Sequence, residues 1–188
     1  APGPDARGLM PALFSLLWLL ALLPAPARAE LLAIHYLERR VERPTPLNNE
    51  DPIPDDEGLK GAELGLKDSN ATGRFVALGF ALHSRIVEPD EDIRAACLRL
   101  GAPRFVVLNA PAEDVLAVSD LPEARNTVCL NVGAPDTRLR EADCRPRLLH
   151  VLPSRAMLAD ALVQFLSYKR WTRILLLSGP APADALYA

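Results

Sequence analysis

Few side chains in this sequence are spaced for covalent chemistry. Three cysteines exclude a four-cysteine zinc site, and the three histidines, His35, His83 and His150, stand isolated from one another. No Gly-x-Ser-x-Gly elbow exists, and Ser154-Arg155-Ala156-Met157 lacks the lysine of a Ser-x-x-Lys nucleophile. Gly58-Leu59-Lys60-Gly61 follows no strand directly, as a phosphate loop would. The acidic run from Asp51 to Glu57 has alternate carboxylates without calcium-loop spacing and reads as a solvated segment. What remains is a set of polar or small residues where apolar runs stop: Tyr36, Asn109 and Ala110, Asn131 and Gly133, Ser154 and Arg155. Groups of this kind suit non-covalent capture of a small ligand, with no metal, no catalytic residue and no cofactor.

Five of the seven have a plainer role beside the binding one. Ser154 stands at a helix start, where its hydroxyl and the amides after it could hold an anion or simply cap the helix. Asn109 and Asn131 are also ordinary turn formers, and Tyr36 is equally a rim aromatic with its hydroxyl in solvent. Gly133 either permits close backbone approach or merely breaks a strand.

The elements that position these residues alternate. Leu31–Leu37 is a short apolar run suited to a buried strand, and Phe80–Val87, Arg104–Asn109, Thr127–Val132, Leu148–Leu152 and Arg173–Ser178 read as further strands. Between them lie helical segments: one from Asp56 with Leu59, Ala62, Leu66 and Ser69 at helical spacing, one from Asp90 to Leu100, one from Glu113 to Val118, and one capped by Ser154 and running to Lys169. Apolar strands interleaved with helices predict an α/β fold with a doubly wound parallel sheet. In such sheets ligands bind beyond the carboxyl ends of the strands, where the seven residues fall. Residues 42–56, with Pro44, Pro46, Pro52 and Pro54, form an irregular loop long for a strand-to-helix connection.

The composition fits. Of 188 residues 49% are hydrophobic, too many for a disordered chain, and a net charge of −3 offers no basic footprint for nucleic acid. Residues 1–29 read as a secretory signal peptide: Arg7, the apolar run Leu13–Leu23, and Ala27-Arg28-Ala29 before Glu30. The run is short of the ~20 residues that span a bilayer, so no stable membrane insertion is expected after cleavage. In an exported protein Cys129 and Cys144 are expected to form a disulfide, worth roughly 3 kcal/mol in the chain-entropy picture. Cys97, on the apolar side of a helical pattern, is expected to be a buried thiol. The apolar run 173–178 calls for a covering helix that Ala183–Ala188 only begins, so the chain reads as a fragment.

Several segments together resemble a known family. They are Ile34–Glu38 with the Pro-rich loop, Gly61–Phe75, Asp143-Cys144-Arg145, Leu148-Leu149-His150, Pro153–Leu162 and Lys169-Arg170-Trp171. This set resembles the ABC transporter substrate-binding proteins of PQQ-dependent alcohol dehydrogenase systems, a branch of the type I periplasmic binding proteins similar to branched-chain amino acid receptors. The resemblance implies that residues 30–188 form the N-terminal of two lobes, with the second lobe missing. It implies a periplasmic receptor that captures a small organic ligand and delivers it to an inner-membrane ABC permease. The same rim is implied to hold a ligand carboxylate through backbone amides and hydroxyls, with an aromatic near the first strand packing against the ligand. A periplasmic enzyme or ligand-sensing regulator on the same scaffold is the alternative.

Overall fold

The structure is a computed structural model and describes residues 30–41, 54–101, 103–180 and 184–186. The signal-peptide segment 1–29 and most of the Pro-rich loop lie outside the described residues. Among the described residues five strands form one all-parallel sheet: β1 (Glu30–Arg39), β2 (Leu78–Val87), β3 (Phe105–Asn109), β4 (Val128–Asn131) and β5 (Leu148–His150), in the order β2-β1-β3-β4-β5. The helices are α1 (Glu57–Gly73), α2 (Ile93–Leu98), α3 (Ala112–Ser119) and α4 (Arg155–Tyr168). The fold is α/β, a doubly wound parallel sheet.

Strand position follows local sequence. β1 is central, paired over its whole length with β2 and from Ile34 to Glu38 with β3, so its apolar character serves both faces. β2 is an edge, which is why Ser84 and Arg85 stay exposed within it. The Asn70 amide of α1 ties down its outer side, donating to the Phe80 carbonyl at 2.9 Å and accepting from the Phe80 amide at 2.7 Å. Register puts Leu37 beside Leu108, and His35 beside Val106, on one face; Tyr36 and Val107 share the other.

The first face carries the core. Leu37, Val87, Val106 and Leu108 from the strands meet Ile93, Ala96 and Cys97 of α2 and Val115 and Val118 of α3. Asp92 caps α2 by accepting from the Arg94 amide at 2.9 Å, and Glu113 and Asp114 sit in the first turn of α3, where the helix dipole favours negative charge. Among the described residues the second face is covered by α1 alone. Its inner side carries the small residues Gly58, Ala62, Gly65 and Ser69, leaving an apolar crevice of about 460 Å³ against Ile34, Phe80, Leu82 and Val107.

Two expectations need correction. Arg173–Ser178 does not form a sixth strand; it is irregular and exposed, with Leu175 83% and Leu177 84% accessible. A parallel sixth strand requires its crossover helix to lie on the sheet, and α4 has no buried residue. Nor are Cys129 and Cys144 bridged: all three cysteines are free thiols. Strand alternation turns Cys129 into the core, near Cys97 and Ser119, while Cys144 is exposed in the irregular segment before β5. Burial pushes the Cys97 thiol up to about 11, with Cys129 adding to the shift, and burial likewise raises Cys129. Neither is a thiolate near neutral pH.

Candidate functional site

The order β2-β1-β3 reverses the direction of strand addition at β1, so the chain leaves β1 toward one face and β3 toward the other. The helices α1 and α3 that follow these two strands lie on opposite faces, the arrangement that leaves a crevice at the strands' carboxyl ends. A cleft of about 800 Å³ lies there, with Glu38, Asn109, Ala110, Gly133, Asp136 and Arg155 among the residues of its wall.

Its inner end is a hydrogen-bonded network of buried polar groups. Tyr36 is 1% exposed, and its hydroxyl donates to Glu38 Oε2 at 2.6 Å while accepting from Asn109 Nδ2 at 2.9 Å. Glu38 is itself 8% exposed. Burial, then the Glu38 carboxylate, holds the Tyr36 phenol well above the usual tyrosine range, so it stays a neutral donor. Glycine at residue 58 leaves room for this network at the start of α1: a Cβ there would collide with Tyr36 Oη and stand 2.7 Å from Asn109 Nδ2. The network divides the charged cleft from the apolar crevice beneath α1, and Asn109 lines both.

The other wall is backbone and ion pairs. Gly133 packs so tightly that a Cβ would meet Asn109 Oδ1 at 2.6 Å and the Ala110 amide at 2.7 Å, the close approach that only glycine permits. Arg155 pairs with Asp136 at 3.0 Å, and its amide donates to the Pro135 carbonyl at 2.8 Å. Arg39 donates to Asp114 Oδ2 at 2.6 Å and to the Glu88 and Glu91 carbonyls at 2.6 and 2.7 Å. It thereby stitches the end of β1 to the turn after β2 and to α3.

The seven candidate residues separate into three groups. Asn109, Ala110, Gly133 and Arg155 line the cleft together. Tyr36 lies behind it, with its hydroxyl in the network and not in solvent. Asn131 and Ser154 are buried in turn and cap roles outside the cleft wall. Asn131 Oδ1 accepts from the Gly133 and Ala134 amides at 3.2 and 2.8 Å, its Nδ2 donates to the Ala134 carbonyl at 2.7 Å, and His150 Nδ1 lies 3.0 Å away. Ser154 Oγ accepts from the Met157 amide at 3.2 Å, a helix cap.

Sequence reasoning passed over Glu38, Gly58 and Asp136. For Glu38 a signal was available: a carboxylate two positions after Tyr36, on the same strand face, at the end of an apolar run. Gly58 and Asp136 carried none. Among the described residues no group of three or more His, Cys, Asp or Glu is arranged to hold a metal ion, and no helix is long and apolar enough to cross a membrane.

Fold and rim together define a doubly wound parallel α/β protein with a polar cleft at its switch point. No protein-family model matches the chain, and no curated protein matches it.

Proposed function

We propose that this chain is the periplasmic solute-binding component of an ABC transporter, capturing a small organic ligand for uptake alongside PQQ-dependent alcohol oxidation. The observation that carries the reading is the cleft at the β1/β3 switch point, large enough for a small molecule and walled by charged and hydrogen-bonding groups. The sequence resemblance supplies the transporter context. Mechanistically, Asn109, the Gly133 backbone and Arg155 would orient the ligand, while the Tyr36–Glu38–Asn109 network keeps that wall rigid. In a two-lobed receptor this rim is one jaw, and hinge closure brings the other lobe over the ligand. The permease then reads the closed form.

The test is a panel of small alcohols, aldehydes, acids and amines offered to the exported full chain. Saturable binding with a rise in Tm and no chemical change in the ligand is the expected result. Product formation from any bound member, or a panel with no binder, overturns the reading.

A further inference from the structure

We infer that the ligand of this cleft carries a protonated amine, received by the carboxylate of Glu38. The inference rests on the receptor reading above and names the chemistry of its ligand. Among the described residues three arginines line the cleft, and each has a carboxylate partner: Arg39 with Asp114 at 2.6 Å, Arg40 with Glu88 at 3.2 Å, and Arg155 with Asp136 at 3.0 Å. Glu38 has none. It is more than nine-tenths buried, yet among the described residues it makes no ion pair, and its side chain's single hydrogen bond is the one Tyr36 donates to Oε2.

A buried carboxylate is costly unless it is paired and hydrogen-bonded. Here the second oxygen, Oε1, has no hydrogen-bond partner among the described residues, although the side chain lines the cleft. Neighbouring groups keep the position from relaxing. Gly58 at the start of α1 packs against Tyr36 and Asn109, and the strand pairing Glu38↔Asn109 fixes the backbone. The site is therefore one preorganised anionic acceptor in a cleft whose cations, among the described residues, are all engaged. A ligand ammonium supplies the missing positive charge and a charge-assisted hydrogen bond. A ligand carboxylate placed here would meet like charge, and a neutral hydroxyl would leave the charge uncompensated.

The experiment uses three probes of matched shape, n-butylamine, n-butanol and n-butyrate, titrated calorimetrically into the full exported chain at neutral pH. The amine is expected to bind, and the alcohol and acid to bind at least about tenfold more weakly. Glu38→Gln keeps an oxygen for the Tyr36 hydroxyl and is expected to weaken the amine about tenfold or more. Glu63→Gln, the same charge change on the exposed side of α1, is expected to leave amine binding unaltered. Circular dichroism and Tm of both variants without ligand check folding. Should Glu38→Gln fail to fold, the three-probe ranking on the wild type decides alone. Equal or tighter binding of butanol or butyrate overturns the amine assignment while leaving a receptor in place, as does unchanged amine affinity in folded Glu38→Gln. No binding by any of the three overturns the amine assignment; the receptor reading then falls only if the wider panel is also empty.

Discussion

The two faces of the sheet differ more than their sequences do. On one, Leu37, Val106 and Leu108 are fully buried under α2 and α3. On the other, α1 covers the β2–β1–β3 end, and beyond it Leu149 and Val151 are 52% and 67% exposed. Helix α4 presents Met157, Leu162, Val163 and Phe165 to solvent although its composition is as apolar as that of α3. Apolar content is therefore not burial. The burial that stabilises the molecule is concentrated on one side, and the cleft sits at the end of the sheet where the well-packed strands β1, β3 and β4 stop.

The largest test of that contrast is a pair of truncations. Leu108→Ala is expected to cost about 2–5 kcal/mol in denaturant unfolding, since it leaves a cavity among fully buried neighbours. Leu162→Ala on α4 is expected to cost less than about 0.5 kcal/mol. Comparable losses would show that α4 packs as firmly as α3 in solution and would abolish the distinction between the faces.

Next in size is Cys129→Ser, which replaces a buried thiol by a hydroxyl beside Ser119 and should cost about 1–3 kcal/mol. Because the thiols are free, reductant is expected to leave the wild-type melting curve unchanged. A reductant-dependent fall in Tm, absent from the variant, would restore the 129–144 bridge.

Ser154→Ala removes the cap of α4 and should cost that helix about 1 kcal/mol. The loss is expected as faster amide exchange at Met157 and Leu158 without a matching drop in global Tm. A full-sized global drop would mean that α4 unfolds together with the core.

The smallest effect is in pH. Burial, aided by the neighbouring His83, lowers His35, whose ring stacks on that of His83 at 5.1 Å, and burial followed by Arg140 lowers His150. Both fall below the usual 6.5 in the folded state. As pH falls through 6.5, the unfolded chain takes up these protons before the folded one. Stability should therefore be flat above that point with respect to these groups and decline below it, until the folded-state values are passed. Denaturant midpoints measured across this range check the sign; a rise on acidification would contradict it.

Much of the architecture was legible because its causes are local. The continuous apolar runs marked β1 and β3, the alternation of apolar and polar residues marked β2 as a strand, and the acidic run Asp90–Asp92 and Ser154 marked helix starts, where Asp92 and Ser154 accept from amides two and three residues on. The run 173–178 misled because an unpaired apolar segment and a buried strand look alike in sequence. The Cys129–Cys144 expectation failed for a related reason: nearness along the chain does not reveal which face a strand residue turns to. The candidate site was half legible. Strand ends pointed to Asn109, Ala110, Gly133 and Arg155, while Asn131 and Ser154 sit at strand ends too but spend their polar atoms on their own turns.

By itself, the sequence determined the periods, caps and breaks, and with them an α/β fold of parallel strands, since those depend on interactions within a few residues. Only the tertiary structure decided that β1 lies between β2 and β3, and so where the crevice opens. Only it brought Asn109 to Tyr36, seventy-three residues away, and left Glu38 buried beside them without a cation among the described residues. Those outcomes depend on which strands pair and in what register, and pairing is settled by burial summed over the whole sheet, which no single segment encodes.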